Sequence, residues 1–280
     1  MTKEVAKAEA AAVPAIAEDD GFDLLFAARG SGLGNIRAED MAIPFLAIIQ
    51  SNSPQRKKAD GAYIQGADEG MVFNTVTSEL FDITGDGVLE VVPCGFKKKY
   101  LHWRKREEGG GMLGQYDISD PIANTGTREG GRIVMPDGTY LVETAEHYVL
   151  VVYKDGSAKR AVIAMSSTQL KKSRRWLTMQ GEKQIKNPRT GEFFTAPSFA
   201  YTYKLQTGAE KNDSGDWHGW KIVEGRALNL ADGADKGIFK MANEFQKSVD
   251  KGDVEVASNR GEDVAVGGAA RNDLNDDIPF

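Results

Sequence analysis

The chain has 280 residues, 41% of them hydrophobic and 27% charged, enough for a core of its own in one sizeable domain or two small ones. No apolar run reaches the length of a membrane span, the Ala-rich start carries Glu4 and Glu9 where a secretory signal needs a basic-then-apolar order, and a single cysteine, Cys94, precludes an internal disulfide and fits a reducing cytoplasm. The net charge of -6 argues against a polyanionic partner until it is mapped: residues 1–20 carry -3 and residues 250–280 carry -5, which leaves residues 21–249 at +2.

Residues 1–20 are small and charged, without a sustained apolar stripe, and read as a disordered leader. Asp23 to Ala28 fits one amphipathic turn. Gly30-Ser31-Gly32-Leu33-Gly34 has neither the spacing of a dinucleotide fingerprint nor the Lys-Ser/Thr pair of a phosphate loop, and reads as a connection. Ile43 to Gln50 is a buried strand entered through Pro44. Ser51 to Gly70 is an exposed loop with the basic triplet Arg56-Lys57-Lys58. Strand signals return at Gly70 to Val76 and at Val88 to Pro93, either side of a turn at Gly85-Asp86-Gly87. Asp82 and Asp86 straddle that turn, but no calcium-loop pattern follows.

Phe96 to Arg106 (Phe-Lys-Lys-Lys-Tyr-Leu-His-Trp-Arg-Lys-Arg) is the most suggestive stretch of the body. As a strand it sends Phe96, Lys98, Tyr100 and His102 to one face and Lys97, Lys99, Leu101 and Trp103 to the other, with Arg104 next in line. Lysines that follow phosphates beside rings that stack unpaired bases are what a single strand of nucleic acid needs. The same pattern also describes an edge strand with one face in the core and lysines guarding the edge.

Glu107 to Gly138 is rich in Gly, Asp, Asn, Thr and Pro and reads as a long flexible excursion with a short hairpin. Tyr140 to Tyr153 and Lys159 to Met165 form a hairpin of two mostly buried strands around Lys154-Asp155-Gly156-Ser157. Ser166-Ser167-Thr168 caps a helix to about Gly181, with Leu170, Ser173 and Leu177 inward, Lys171, Arg174, Arg175 and Thr178 outward, and Trp176 between. Its basic face is either simply solvated or a second phosphate contact. Asn187 to Gly191 is a turn. Phe199 to Gln206 alternates, with Phe199, Tyr201 and Tyr203 on one face, and Trp217 to Glu224 returns as its hairpin partner. Gly233 to Val249 is a closing helix with the stripe Ile238, Met241, Ala242, Phe245, and a small, acidic linker follows Asp250.

The chain ends Asn272-Asp273-Leu274-Asn275-Asp276-Asp277-Ile278-Pro279-Phe280. Repelling carboxylates and a proline make poor material for a fold, but they make a good ligand. Ile278 and Phe280 can fill a pocket, and Asp276 and Asp277 can steer onto a basic rim. Asp-Asp-Ile-Pro-Phe at a C-terminus closely resembles the acidic tip of bacterial single-stranded DNA-binding (SSB) proteins, over the last nine or so residues. The resemblance implies that Asp276, Asp277, Ile278, Pro279 and Phe280 dock replication and repair proteins. It also implies an OB-type body that binds single-stranded DNA, and it leaves a homo-oligomer open. The body lacks the bacterial family's long Gly/Gln/Pro-rich linker and does not look like it in sequence, so the reading is a phage-encoded SSB with a host-type tip, in the cytoplasm of its bacterial host.

No metal-ligand spacing, two-metal nuclease pattern or Walker loop occurs, so the sequence describes a binder rather than an enzyme, with no cofactor and no metal. The expected fold is mainly β or α+β: an OB-type Greek-key barrel with long loops, one or two helices and disordered termini. Residues 21–249 are its core, between the leader 1–20 and an acidic tail 250–280. The candidate contacts to single-stranded DNA are Lys97, Lys98, Lys99, Tyr100, Trp103, Arg104, Lys171, Arg174, Arg175, Trp176 and Tyr203. A strand-annealing protein, a DNA-processing nuclease and an adaptor that never touches DNA are the other readings.

Overall fold

The computed structural model describes residues 20–28, 31–32, 41–212, 215–254 and 256–257. A short helix α1 (Asp20–Ala27) precedes three short strands, β1 (Leu46–Ile48), β2 (Val72–Asn74) and β3 (Leu80–Phe81), which form a small antiparallel sheet. Then come the long β4 (Leu89–Trp103), the excursion β5 (Met112–Asp117), β6 (Thr127–Glu129) and β7 (Arg132–Val134), and the hairpin β8 (Tyr140–Val152) and β9 (Ala158–Ser166). Helix α2 (Leu170–Gly181), the ribbon β10 (Gln184–Lys186) and β11 (Phe193–Thr195), the hairpin β12 (Tyr201–Asn212) and β13 (Gly215–Ala227), and helix α3 (Gly233–Lys251) complete the order. The fold is mainly β, and its principal sheet is antiparallel and curled into a half-barrel, consistent with an OB-like architecture.

That sheet has eight strands rather than the five of a minimal OB barrel. Its spine is β4 against β8, paired from Glu90↔Val152 to Trp103↔Tyr140. Both strands change partner part-way. On its other edge β4 pairs first with β12 (Val91↔Tyr203) and later with β5 (Tyr100↔Tyr116), and β8 pairs with β9 along Thr144–Val152 and with β7 along Tyr140–Val142. The excursion after β4 is therefore not loose: β5, β6 and β7 extend the sheet beyond the body.

The segments 88–93 and 96–103 are one strand, because a bulge between Pro93 and Gly95 inserts a residue and inverts the parity. Val91 before the bulge and Phe96 after it consequently pack on the same core with Val149, Ile163, Tyr203, Trp220 and Trp176 of α2. The opposite face is covered by α3, whose Ile238, Ala242, Phe245 and Val249 meet Val92, Cys94, Tyr148 and Leu150. A Cβ on Gly95 would sit 3.0 Å from Val249 Cγ1, so the bulge glycine is what lets α3 approach the strand. In α3 the inward stripe is completed by Val249, while Met241 is 37% exposed. Phe199 lies in a short turn on the α3 side and Tyr203 on the α2 side, so the single face expected for them does not form. A bulge between Tyr201 and Tyr203 breaks the alternation.

Candidate nucleic-acid interface

The alternation expected along Phe96–Trp103 is present. Phe96, Lys98, Tyr100 and His102 pair across to His147, Ala145, Glu143 and Leu141, and Lys97, Lys99, Leu101 and Trp103 pair to Glu146, Thr144, Val142 and Tyr140. The expected exposure is not. Tyr100 is 8% exposed in a cluster with Ile133 and Leu141, and Trp103 is 5% exposed against Leu101 and Tyr140. Neither ring can stack a base from this position, and β4 is no edge strand either. It has neighbours on both sides along most of its length, and β5 to β7 cover the part that the sequence left open.

The bases of that strand are largely answered by carboxylates. Lys98 Nζ lies 2.6 Å from Glu143 Oε1. Lys99 Nζ lies 3.1 Å from Glu146 Oε2, a wholly buried carboxylate that also accepts the Tyr148 hydroxyl at 3.0 Å. Asp117 is held below the usual carboxylate range, mainly by hydrogen bonds from Ser119 and further by the charges of Lys97 and Lys99. Together Lys97, Lys98 and Lys99 line a shallow open depression with Gln115, Tyr116, Asp117 and Ile118. Arg104 is exposed just past the strand.

Helix α2 divides differently from its expected faces. Its inward residues are Ser173 and Trp176, with Leu170 and Leu177 only half-buried. Trp176 is fully buried, stacked on His147 at 4.5 Å and edge-on to Tyr203 at 5.8 Å, and His147 Nε2 is 2.8 Å from Ser173 Oγ. Trp176 and Tyr203 are thus core rings, not stacking platforms, and burial pushes the Tyr203 hydroxyl up to about 12. Lys171, Arg174 and Arg175 are on the exposed face, as expected. The tip residues Asp276 to Phe280 and the leader 1–19 lie outside the described residues.

The exposed rings are elsewhere. The ribbon that follows α2 pairs Lys186 with Phe193 and Ile185 with Phe194 around the turn at Asn187–Glu192. Phe193 is 65% exposed and Phe194 49%, and because they are consecutive on a strand they stand on opposite faces of the ribbon. Lys186 Nζ lies 6.0 Å from the Phe193 ring centre, and Arg189 is exposed in the turn. Among the described residues neither base forms an ion pair. The sequence carried a signal for this: an Asn-Pro-Arg-Thr-Gly turn between Gln-Ile-Lys and Phe-Phe-Thr is a hairpin pattern, and two adjacent rings on a two-stranded ribbon cannot both be buried.

The arrangement offers rings flanked by unpaired cations on a short ribbon, immediately after a helix whose outer face is basic. Among the described residues no group of three or more His, Cys, Asp or Glu is placed to hold a metal, and no helix is long and apolar enough to cross a membrane. No curated protein and no solved structure matches the chain. Residues 8–255 do match the model of one family, the Pam3 phage gp34-like proteins, and with that span covering nearly the whole fold the chain belongs to this phage protein family.

Proposed function

We propose that this protein binds single-stranded DNA without sequence preference, as a phage protein acting on replicating or recombining DNA. The observation that carries the reading is the pair of exposed rings, Phe193 and Phe194, on a ribbon with Lys186 and Arg189, following the basic face of α2 with Lys171, Arg174 and Arg175. Stacking on a ring is tolerant of base identity, and cations spaced along a helix and a ribbon follow a backbone without reading it. The mildly basic body between acidic ends supports the same reading, and the OB-like sheet is a platform that such proteins use. The acidic C-terminal tip would then recruit replication or repair proteins of the host.

The test is fluorescence anisotropy with labelled single- and double-stranded oligonucleotides over a range of salt. Single strands should bind more tightly, with log affinity falling by about 0.7 per phosphate contact for each decade of salt. Phe193→Ala and Phe194→Ala should each cost about 1–3 kcal/mol of affinity with an unchanged melting temperature. Equal affinity for duplex, or indifference to both substitutions, removes the proposal.

A further inference from the structure

A second unpartnered apolar surface lies at the start of the described chain. Helix α1 has eight residues, too few to hold helical form in water unaided. It leaves Leu24 72% and Leu25 49% exposed, beside Phe26 at 54%. The segment is acidic, with Asp23 inside the helix, Glu18, Asp19 and Asp20 leading into it in sequence, and no base between Lys7 and Arg29. The β10–β11 ribbon is its complement in both respects. It holds the one adjacent pair of exposed rings among the described residues, flanked by Lys186 and Arg189. Within a single chain neither surface covers the other, since both remain open to solvent.

We propose that α1 of one copy docks on the β10–β11 ribbon of a second copy, with Leu24 and Leu25 against Phe193 and Phe194 and Asp23 toward Lys186 and Arg189. An amphipathic helix laid on an apolar strip with a basic rim is a common recognition geometry, and the charge match steers and orients the encounter. The twelve residues between Ala28 and Met41 can span at most about 40–43 Å, so the helix can leave its own body and reach a neighbour's. The two patches are different, so the contact is head-to-tail. It closes into a ring or runs on as a filament, depending on the rotation between copies. Self-association of this kind does not depend on the protein binding DNA.

The test is sedimentation velocity on the intact protein without nucleic acid, across the micromolar range. The mass should exceed the 30.5 kDa of one chain, rise with concentration and fall with salt. Leu24→Ser/Leu25→Ser and Phe193→Ser/Phe194→Ser should each weaken association by about tenfold or more. Mixing the two variants should then give a one-to-one complex that grows no further, because one partner brings an intact ribbon and the other an intact helix. Should the ribbon variant fold poorly, Asp23→Lys and Lys186→Glu serve instead: each alone weakens association and the two combined in one chain restore it. A constant single-chain mass, an oligomer indifferent to these changes, or a mixture that stays monomeric overturns the proposal. Anisotropy with a single strand on the α1 variant is measured separately, so loss of self-association and loss of DNA binding are told apart.

Discussion

His147 is wholly buried between the sheet and α2, stacked on Trp176 and 2.8 Å from Ser173, and burial pushes its pKa down to about 3. The imidazole is therefore neutral in the folded protein at any ordinary pH. In the unfolded chain it takes a proton near pH 6.5, so the unfolded state binds more protons throughout the window between about 6.5 and 3. Stability should be full above that window and fall as pH drops into it, by up to about 1.4 kcal/mol per pH unit from this group. Urea melts at pH 7 and pH 5 should show the loss, and His147→Gln should flatten that part of the profile. The neighbouring ring gives a second prediction. Trp176→Ala should cost about 3–5 kcal/mol of stability, read by thermal melting, as expected of a fully buried ring. A variant that keeps its stability and loses only DNA binding would put Trp176 back on the surface. At this scale the sequence was half readable: period two told which residues of Phe96–Trp103 share a face, but not that β5 to β7 lie over the rings or that Glu143 and Glu146 answer the lysines.

Among the elements, the hairpins β8–β9 and β12–β13 and both long helices were plain in the sequence, because strong alternation or a 3.6-residue stripe runs between clear turn signals. What was hidden is instructive. The bulge at Pro93–Gly95 inverts parity, so a single fifteen-residue strand looked like two separate ones. Strands β5, β6 and β7 are short and polar, and they are held by pairing with the spine rather than by an apolar pattern of their own. Helix α3 shows the opposite case, in which local signals and packing agree. Asp232 caps its first turn by accepting from the Ala234 and Asp235 amides at 2.9 and 3.0 Å, and Gly252 ends it with φ 79°. Since α3 covers one whole face of the sheet, Asp232→Ala should lower stability by about 1 kcal/mol without affecting any surface contact. Chemical denaturation is the measurement, and an unchanged midpoint would mean that the cap adds nothing to what the buried stripe already supplies.

For the whole molecule, the two ends of the described fold meet. Ile43 forms a parallel bridge with Val256, and the Ala257 amide donates to the Ile43 carbonyl at 2.9 Å. Val254 and Val256 pack against the core that α3 shares with Phe45 and Tyr148. The sequence reading placed the boundary between core and tail at residue 250, but this clasp extends the folded unit to Ala257. It could not be seen beforehand, because its pairing partner lies more than 200 residues earlier in the chain. Two truncations separate its contribution from that of the acidic residues beyond it. Ending the chain after Ala257 removes side chains of net charge -3 and none of the clasp, so the melting temperature should not change. If the body binds single strands, affinity should hold or rise, most clearly at low salt where a negative appendage repels a polyanion most strongly. Ending the chain after Gly252 also removes two partly buried valines and a buried alanine. That should cost about 2 kcal/mol and roughly 5 °C in melting temperature. Equal melting temperatures for the two truncations would show that the clasp is a contact without energetic weight and that the folded unit ends with α3.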